Sequence, residues 1–302
     1  MNSRKLVLAT RRSALALAQA RAYARSLEAA VPGLAIDELH VVTTGDRILD
    51  VSLSKIGGKG LFTKEIEQAL FERRADFAVH SFKDVPAQLD ETFVIACIPK
   101  RADARDVLVS RTGVSLSELP QGAKVGTSSL RRRLELLAKR PDLHVVEMRG
   151  NVDTRLRKLD EGEFDAIVLA AAGLHRLGLA HRITEALAPE ACIPAAGQGA
   201  LAIQCRADDA ETRRILASLH DLETAIAVAC ERGAMVTVGG SCTVPFGAHA
   251  MREGNQMRVR AVLANEDGSD PRRVERVFPW PASEEEARAK GIEIGRELAG
   301  NA

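Results

Sequence analysis

Three groups of residues have the types and spacing for chemistry. Cys242 stands in Gly239-Gly240-Ser241-Cys242-Thr243-Val244-Pro245. Two glycines free the backbone before it and a proline stiffens it after, so the side chain is presented outward and not packed. A thiol so placed is a candidate nucleophile; a free thiol left on a surface turn is the alternative. Lys83 and Asp84 follow the apolar run Ala75-Asp76-Phe77-Ala78-Val79-His80-Ser81. Ligands of open α/β sheets sit at the carboxyl ends of strands, so this pair is well placed for chemistry, with a structural ion pair as the competing explanation. The third group is a set of arginines near strand ends: Arg11 and Arg12, Arg131 and Arg132, Arg149, Arg155 and Arg176.

The arginines decide what kind of ligand is expected. From Lys124 to Lys158 ten Lys or Arg meet four Asp or Glu, a local balance of +6 in a chain whose net charge is +1. A local anion site is implied. The same stretch has no Phe, Tyr or Trp, so the stacking platforms of a single-strand nucleic-acid binder are missing. Several carboxylates or phosphates on one small ligand fit better, because arginine pairs with both bidentately. Singly, each arginine would be a solvated surface charge more often than not.

The elements that must position these groups follow from periodicity. Residues 5–10 form a strand, and Ser13 caps the helix that follows through Ala14, Leu15, Leu17 and Ala18. Arg11 with Ser13 is then a candidate anion clamp beside a helix N-terminus, against the alternative of a solvated arginine pair. After a strand at 38–43, Lys55-Ile56-Gly57-Gly58-Lys59-Gly60 is too glycine-rich for an element and lacks P-loop spacing. Lys55 and Lys59 make it a basic lid or a plain flexible loop before an amphipathic helix from about 61 to 73. His80, inside an apolar strand, is expected as a satisfied core residue. A strand near 93–98 leads to a polar crossing at 99–106.

The second half faintly repeats the first, with convergence of generic βα units as the alternative. Lys124-Val125-Gly126-Thr127-Ser128-Ser129-Leu130-Arg131-Arg132 has the order of strand, hydroxyl residues, arginines and helix seen at residues 5–15, and Glu163 to Val168 echoes Ala75 to Val79. Thr127, Ser128 and Ser129 offer hydroxyls and N–H groups at a helix N-terminus. Leu130, Leu134 and Leu137 are expected as that helix's buried stripe, leaving Arg131 and Arg132 off the core face. Residues 193–205 return the chain to the first domain. From about Asp221 come a helix, the Cys242 loop, strands near 245–251, 257–264 and 272–278, and a final helix.

With 302 residues, 46% hydrophobic and only 3% aromatic, the chain supports two or three domains with an aliphatic core. Runs such as Phe164 to Ala172 suit buried parallel strands, so an α/β class is expected. The domains expected are 1–99 with 200–217, then 105–193, both α/β, and 222–302, α+β. Five cysteines at uneven spacing give neither a disulfide framework nor metal spacing, and Cys97, Cys205 and Cys230 look like core thiols while Cys192 adjoins a connection. A cytoplasmic location, no metal, no export signal and no membrane span are expected, since Arg11 and Arg12 cut the first apolar run.

Taken together, these motifs resemble the porphobilinogen deaminase (hydroxymethylbilane synthase) family. The residues that carry the likeness are Gly57-Gly58-Lys59-Gly60-Leu61-Phe62, Ala78 to Pro86, Gly126 to Arg132, Arg149-Gly150-Asn151-Val152, Gly197-Gln198-Gly199-Ala200, and Glu231-Arg232 on to Cys242-Thr243-Val244-Pro245. One departure is Val238, where the family has an acidic residue before the Gly-Gly pair. The resemblance implies two periplasmic-binding-protein-like domains with an interdomain cleft and a third domain carrying the cysteine. It implies a dipyrromethane cofactor in thioether linkage to Cys242, onto which four porphobilinogens are joined head to tail, each losing ammonia, before hydroxymethylbilane is released. By matching motifs, Lys83, Ser129, Arg131 and Arg132 would hold the cofactor. Arg11, Ser13, Arg149 and Arg155 would hold substrate or the second ring, Arg176 would help move the chain along, and Asp84 would be catalytic. A monomer acting on porphobilinogen, without nucleic acid or membrane, is the implied form. The rival expectation is a two-domain polyanion receptor that shares the fold without the reaction.

Overall fold

The computed structural model describes residues 4–44, 63–239 and 244–300; the expected lid lysines Lys55 and Lys59 and the Cys242 thiol lie outside the described residues. The chain divides into two compact units, Met1–Arg101 with Ala200–Ala225 and Ala102–Gly199 with Ile226–Ala302.

In chain order, β1 (Arg4–Arg11), α1 (Ala14–Ala30), β2 (Leu34–Val41), α2 (Lys64–Phe71), β3 (Phe77–Ser81), a 3-10 turn (Phe82–Asp84) and β4 (Phe93–Cys97) belong to the first unit. The second unit opens with β5 (Asp106–Ser110) and continues through β6 (Lys124–Gly126), α3 (Leu130–Lys139), β7 (His144–Val146), α4 (Val152–Asp160), β8 (Ala166–Ala170), α5 (Ala171–Arg176) and β9 (Glu185–Leu187). β10 (Leu201–Arg206) and α6 (Ala210–Leu216) return to the first unit. Then come α7 (Leu222–Thr237), β11 (Phe246–Glu253), β12 (Gln256–Leu263), β13 (Arg272–Pro279) and α8 (Glu284–Ala299).

Among the described residues the first unit's sheet has the order β2-β1-β3-β10-β4 and the second unit's β7-β6-β8-β5-β9. In each, a β-α-β pair lies parallel, the next strand joins on its inner side, and a strand taken from the chain's crossing is inserted antiparallel before the last. The faint sequence repeat is therefore architectural: β1, the Ser13 cap and α1 correspond to β6, the Ser129 cap and α3. The inserted strands β5 and β10 are buried at every position, the polar residues Asp106, Ser110, Gln204 and Arg206 included, so each of these must find its partners inside the protein. β2 is an edge strand and alternates; it pairs with β1 over Arg4↔Leu34 to Arg11↔Val41 and so starts four residues before the expected 38. The helix expected over 61–73 is described from Lys64 to Phe71, with Arg73 in the left-handed region (φ 56°) just past its end.

The third sheet, β11-β12-β13, is an antiparallel meander whose apolar face packs with α7 and α8 around Ile226, Val259, Ala261 and Ile294. The two helices meet backbone to backbone. A Cβ at Gly291 would lie 1.9 Å from the Cys230 carbonyl oxygen, and one at Gly233 2.4 Å from that of Arg288, so only glycine permits this approach. The whole is a mixed α/β fold with a small α+β segment at its carboxyl end. Cys97, Cys192, Cys205 and Cys230 are buried and unbridged. No helix of the described residues is long and apolar enough to cross a membrane.

Candidate functional site

In the first unit, the Ser13 hydroxyl accepts from the Ala16 amide at 3.4 Å and caps α1, with Arg11 half-buried at the end of β1. The turn after β3 is fixed by its backbone: the Phe82 amide donates to the Ala200 carbonyl (3.0 Å) and the Val85 amide to that of Phe82 (3.1 Å). Phe82 and Val85 are buried anchors on either side, which leaves Lys83 half-buried and turns Asp84 out into solvent. Among the described residues no hydrogen bond or ion pair reaches the Asp84 carboxylate. A structural ion pair, the competing expectation for Asp84, is thus not found there.

Directly before this turn lies His80, buried as expected. Its Nε2 is 2.9 Å from Gln204 Oε1, and Gln204 Nε2 donates to Glu67 Oε1 at 2.9 Å. A carboxylate cannot donate, so the Glu67 bond fixes the amide's orientation and makes His80 Nε2 the protonated nitrogen. Burial lowers the His80 pKa to about 4, against the raising effect of the Gln204 bond and with the charge of Arg11 adding to it.

In the second unit, α3 corrects one expectation. Arg131 and Arg132 do not lie off the core face; they are 4% and 7% exposed, and the buried set of the helix is Arg131, Arg132, Leu134, Glu135 and Leu136, with Leu130 and Leu137 only half-buried. The cause is Asp106, fully buried at the head of β5. Its Oδ2 accepts from Arg131 Nη1 at 2.7 Å and its Oδ1 from Arg132 Nε at 2.9 Å, with Gln198 Nε2 a third donor at 3.0 Å. Burial alone would raise the Asp106 pKa, but the charges of Arg131 and Arg132 outweigh it and hold the carboxyl well below the usual range. Two cations against one anion leave this buried trio formally at +1.

The hydroxyls in front of α3 are also engaged. Ser129 Oγ caps the helix by accepting from the Arg132 amide (3.4 Å), Thr127 Oγ1 accepts from the Ser129 amide (3.2 Å), and the Ser128 hydroxyl donates to the Met148 carbonyl. Arg149 pairs with Glu147 at 2.7 Å, and Arg155 Nε donates to the Gly150 carbonyl at 2.8 Å. The Arg155 pKa is lowered to about 10, first by burial and then by the charges of Arg132 and Arg149. Ser129, Arg131, Arg132, Arg149 and Arg155 are therefore brought together in this unit. Arg176 is held separately, its Nη2 donating to the Gly199 carbonyl at 2.7 Å, with its pKa lowered to about 10 by burial. Arg11, Ser13, Lys83 and Asp84 belong to the first unit.

Sequence reasoning missed three buried acids here. Asp106 had a legible signal, since an acid opening an otherwise apolar strand must find cations when buried. Glu135 pairs with Arg273 from β13. Glu231 accepts from the Gly197 amide (2.7 Å) and the Ala250 amide (2.8 Å), which ties the return loop to β11. No group of three or more His, Cys, Asp or Glu able to hold a metal occurs among the described residues.

A family model described as "Porphobilinogen deaminase, dipyromethane cofactor binding domain" matches residues 6–214, and one described as "Porphobilinogen deaminase, C-terminal domain" matches 225–300. The porphobilinogen deaminase of Sorangium cellulosum (strain So ce56) is 58% identical over 294 residues, covering 97% of this chain and 98% of that protein. That of Syntrophobacter fumaroxidans (strain DSM 10017 / MPOB) is 49% identical over 298 residues, covering 99% and 95%. Among solved structures, the VFT2 domain of Bordetella pertussis BvgS aligns over 71% of this chain and 86% of its own at 15% identity, with a TM-score of 0.44, too low to bear on the fold.

Proposed function

The chain belongs to the porphobilinogen deaminase family, and from that membership we propose that Cys242 carries its dipyrromethane cofactor in thioether linkage and that Asp84 is its catalytic carboxylate. The enzyme is a transferase of tetrapyrrole biosynthesis that polymerises porphobilinogen. A receptor without catalysis is not favoured.

The observation that carries the proposal is the cationic group of Arg131, Arg132, Arg149 and Arg155, with the Asp106 carboxylate shared between Arg131 and Arg132. Each pyrrole of the cofactor and of the substrate bears an acetate and a propionate, and guanidinium groups suit that donor-poor, carboxylate-rich chemistry. Arg131, Arg132, Ser129 and Lys83 would hold the cofactor. Arg149, Arg155, Arg11 and Ser13 would hold the incoming substrate or second ring, and Arg176 would help the growing chain move. When bound, the cofactor supplies the pyrrole carbon to which the first substrate is joined. Asp84 has its role on the substrate: loss of ammonia leaves a cation there, and an exposed carboxylate is the counter-charge for it.

Lys55 and Lys59 belong to a proposed basic lid, and residues 222–302 to a domain bearing the cofactor cysteine. Buried unbridged thiols at Cys97, Cys192, Cys205 and Cys230 support a reducing, cytoplasmic location, and a monomer follows from the family resemblance. Intact-protein mass tests the central assignment. The wild-type chain is expected to carry a two-pyrrole adduct and to colour with acidic Ehrlich reagent, and Cys242→Ser to do neither. A Cys242→Ser chain that still carried the adduct would refute the attachment.

A further inference from the structure

The unusual feature of the second unit is a carboxylate that already occupies the arginines assigned to the cofactor. Asp106 is fully buried, and its two oxygens are divided, Oδ2 to Arg131 and Oδ1 to Arg132. On Arg131 the bonds converge on one nitrogen: Nη1 donates to Asp106, to the Ile193 carbonyl and, at 3.8 Å, to the Cys192 sulfur. Its Nε and Nη2 have no partner among the described residues. Those two form the side-on edge of a guanidinium, the edge that grips a carboxylate with two parallel bonds. Arg132 is anchored twice over, by Asp106 and by Nη1 donating to the Val168 carbonyl at 2.9 Å. The stem of Arg131 is closed in as well. A Cβ at Gly247 of β11 would lie 2.7 Å from Arg131 Cδ, so only glycine leaves room for it.

We propose that Asp106 is a positioning residue for cofactor capture: it holds Arg131 by one nitrogen and Arg132 at a fixed spacing from it, so that the free edge of Arg131 is aimed before the ligand arrives. Gln198, which donates to the same carboxylate and to the Ala104 carbonyl at 2.7 Å, keeps Asp106 itself in place. Without this bridge the two like charges would separate, and the ligand would have to order them on binding. The inference rests on Arg131 and Arg132 being the cofactor's partners.

The test uses full-length protein purified from a host that makes the cofactor, with loaded fraction read by intact mass and folding by thermal unfolding. Asp106→Asn, which keeps the shape and loses the charge, is expected to load less than a tenth of its folded chains. Asp106→Glu, which keeps the charge but moves the carboxylate by one methylene, is expected to recover stability more fully than loading. A role in charge compensation alone predicts that loading simply follows stability across both variants. Wild-type loading in folded Asp106→Asn or, if that variant does not fold, in folded Asp106→Glu overturns the proposal. Arg132→Leu run alongside separates the premise: if it loads normally, the arginines are not the cofactor's partners; if it is empty while Asp106→Asn is full, only the role of Asp106 falls.

Discussion

Acidification should weaken the first unit through one residue. His80 is held neutral in the fold with its pKa lowered from 6.5 to about 4, chiefly by burial. Between those two values the unfolded chain binds a proton that the folded chain refuses, so stability falls as pH falls. The contribution is fully present above pH 6.5 and is lost as pH drops through about 4. Linkage gives a loss of roughly 2.5 kcal/mol by pH 4.5, and about 3 kcal/mol in the limit. That is a large share of the stability of a typical domain. Urea unfolding of wild type and His80→Asn from pH 7.5 to 4.5 measures it. Asn keeps a polar partner for Gln204 and cannot titrate in this range, so its stability should depend on pH less steeply, by roughly 2 kcal/mol over the interval. Parallel pH profiles for the two proteins would refute a buried neutral imidazole. Because His80 leads directly into the Phe82–Asp84 turn, activity at pH 5 should fall with the folded fraction and not ahead of it.

Two further outcomes concern the site. Asp84→Asn should retain its cofactor and turn over at least about a hundredfold more slowly: a carboxylate about 4 Å from a developing cation, at an effective dielectric near 20, is worth roughly 4 kcal/mol. Near-normal single-turnover rates in a loaded, folded variant would remove it from the mechanism. Gly247→Ala should cost roughly 1–3 kcal/mol and reduce cofactor content, because the added carbon would meet Arg131 Cδ at 2.7 Å and the Ile193 carbonyl oxygen at 2.9 Å. An unchanged unfolding midpoint with full loading would show that Arg131 needs no such clearance.

The sequence by itself determined the element types, most of their order and the chemistry of the ligand. Mainly aliphatic runs bounded by turn residues place β1, β3, β4, β8 and β10, because a strand covered on both faces is mostly apolar. Ser13 and Ser129 announce α1 and α3, since a hydroxyl in front of a helix satisfies its free amides. Excess arginine without aromatics points to a small ligand bearing several carboxylates or phosphates, and the family motifs, contiguous enough to read along the chain, imply carboxylates. What only the tertiary structure decided are the pairings between distant residues. Helical spacing put Arg131 and Arg132 on an outward face, and it had no means of registering that β5, about 25 residues earlier in the chain, would bring a buried carboxylate beneath them. The insertion of β5 and β10 antiparallel into otherwise parallel sheets was equally hidden, because a strand's hydrophobic pattern records that it is buried and not which neighbours bury it. Gly247 reads as an ordinary strand glycine until β11 is laid against α3, where the side chain it lacks is the space that Arg131 occupies.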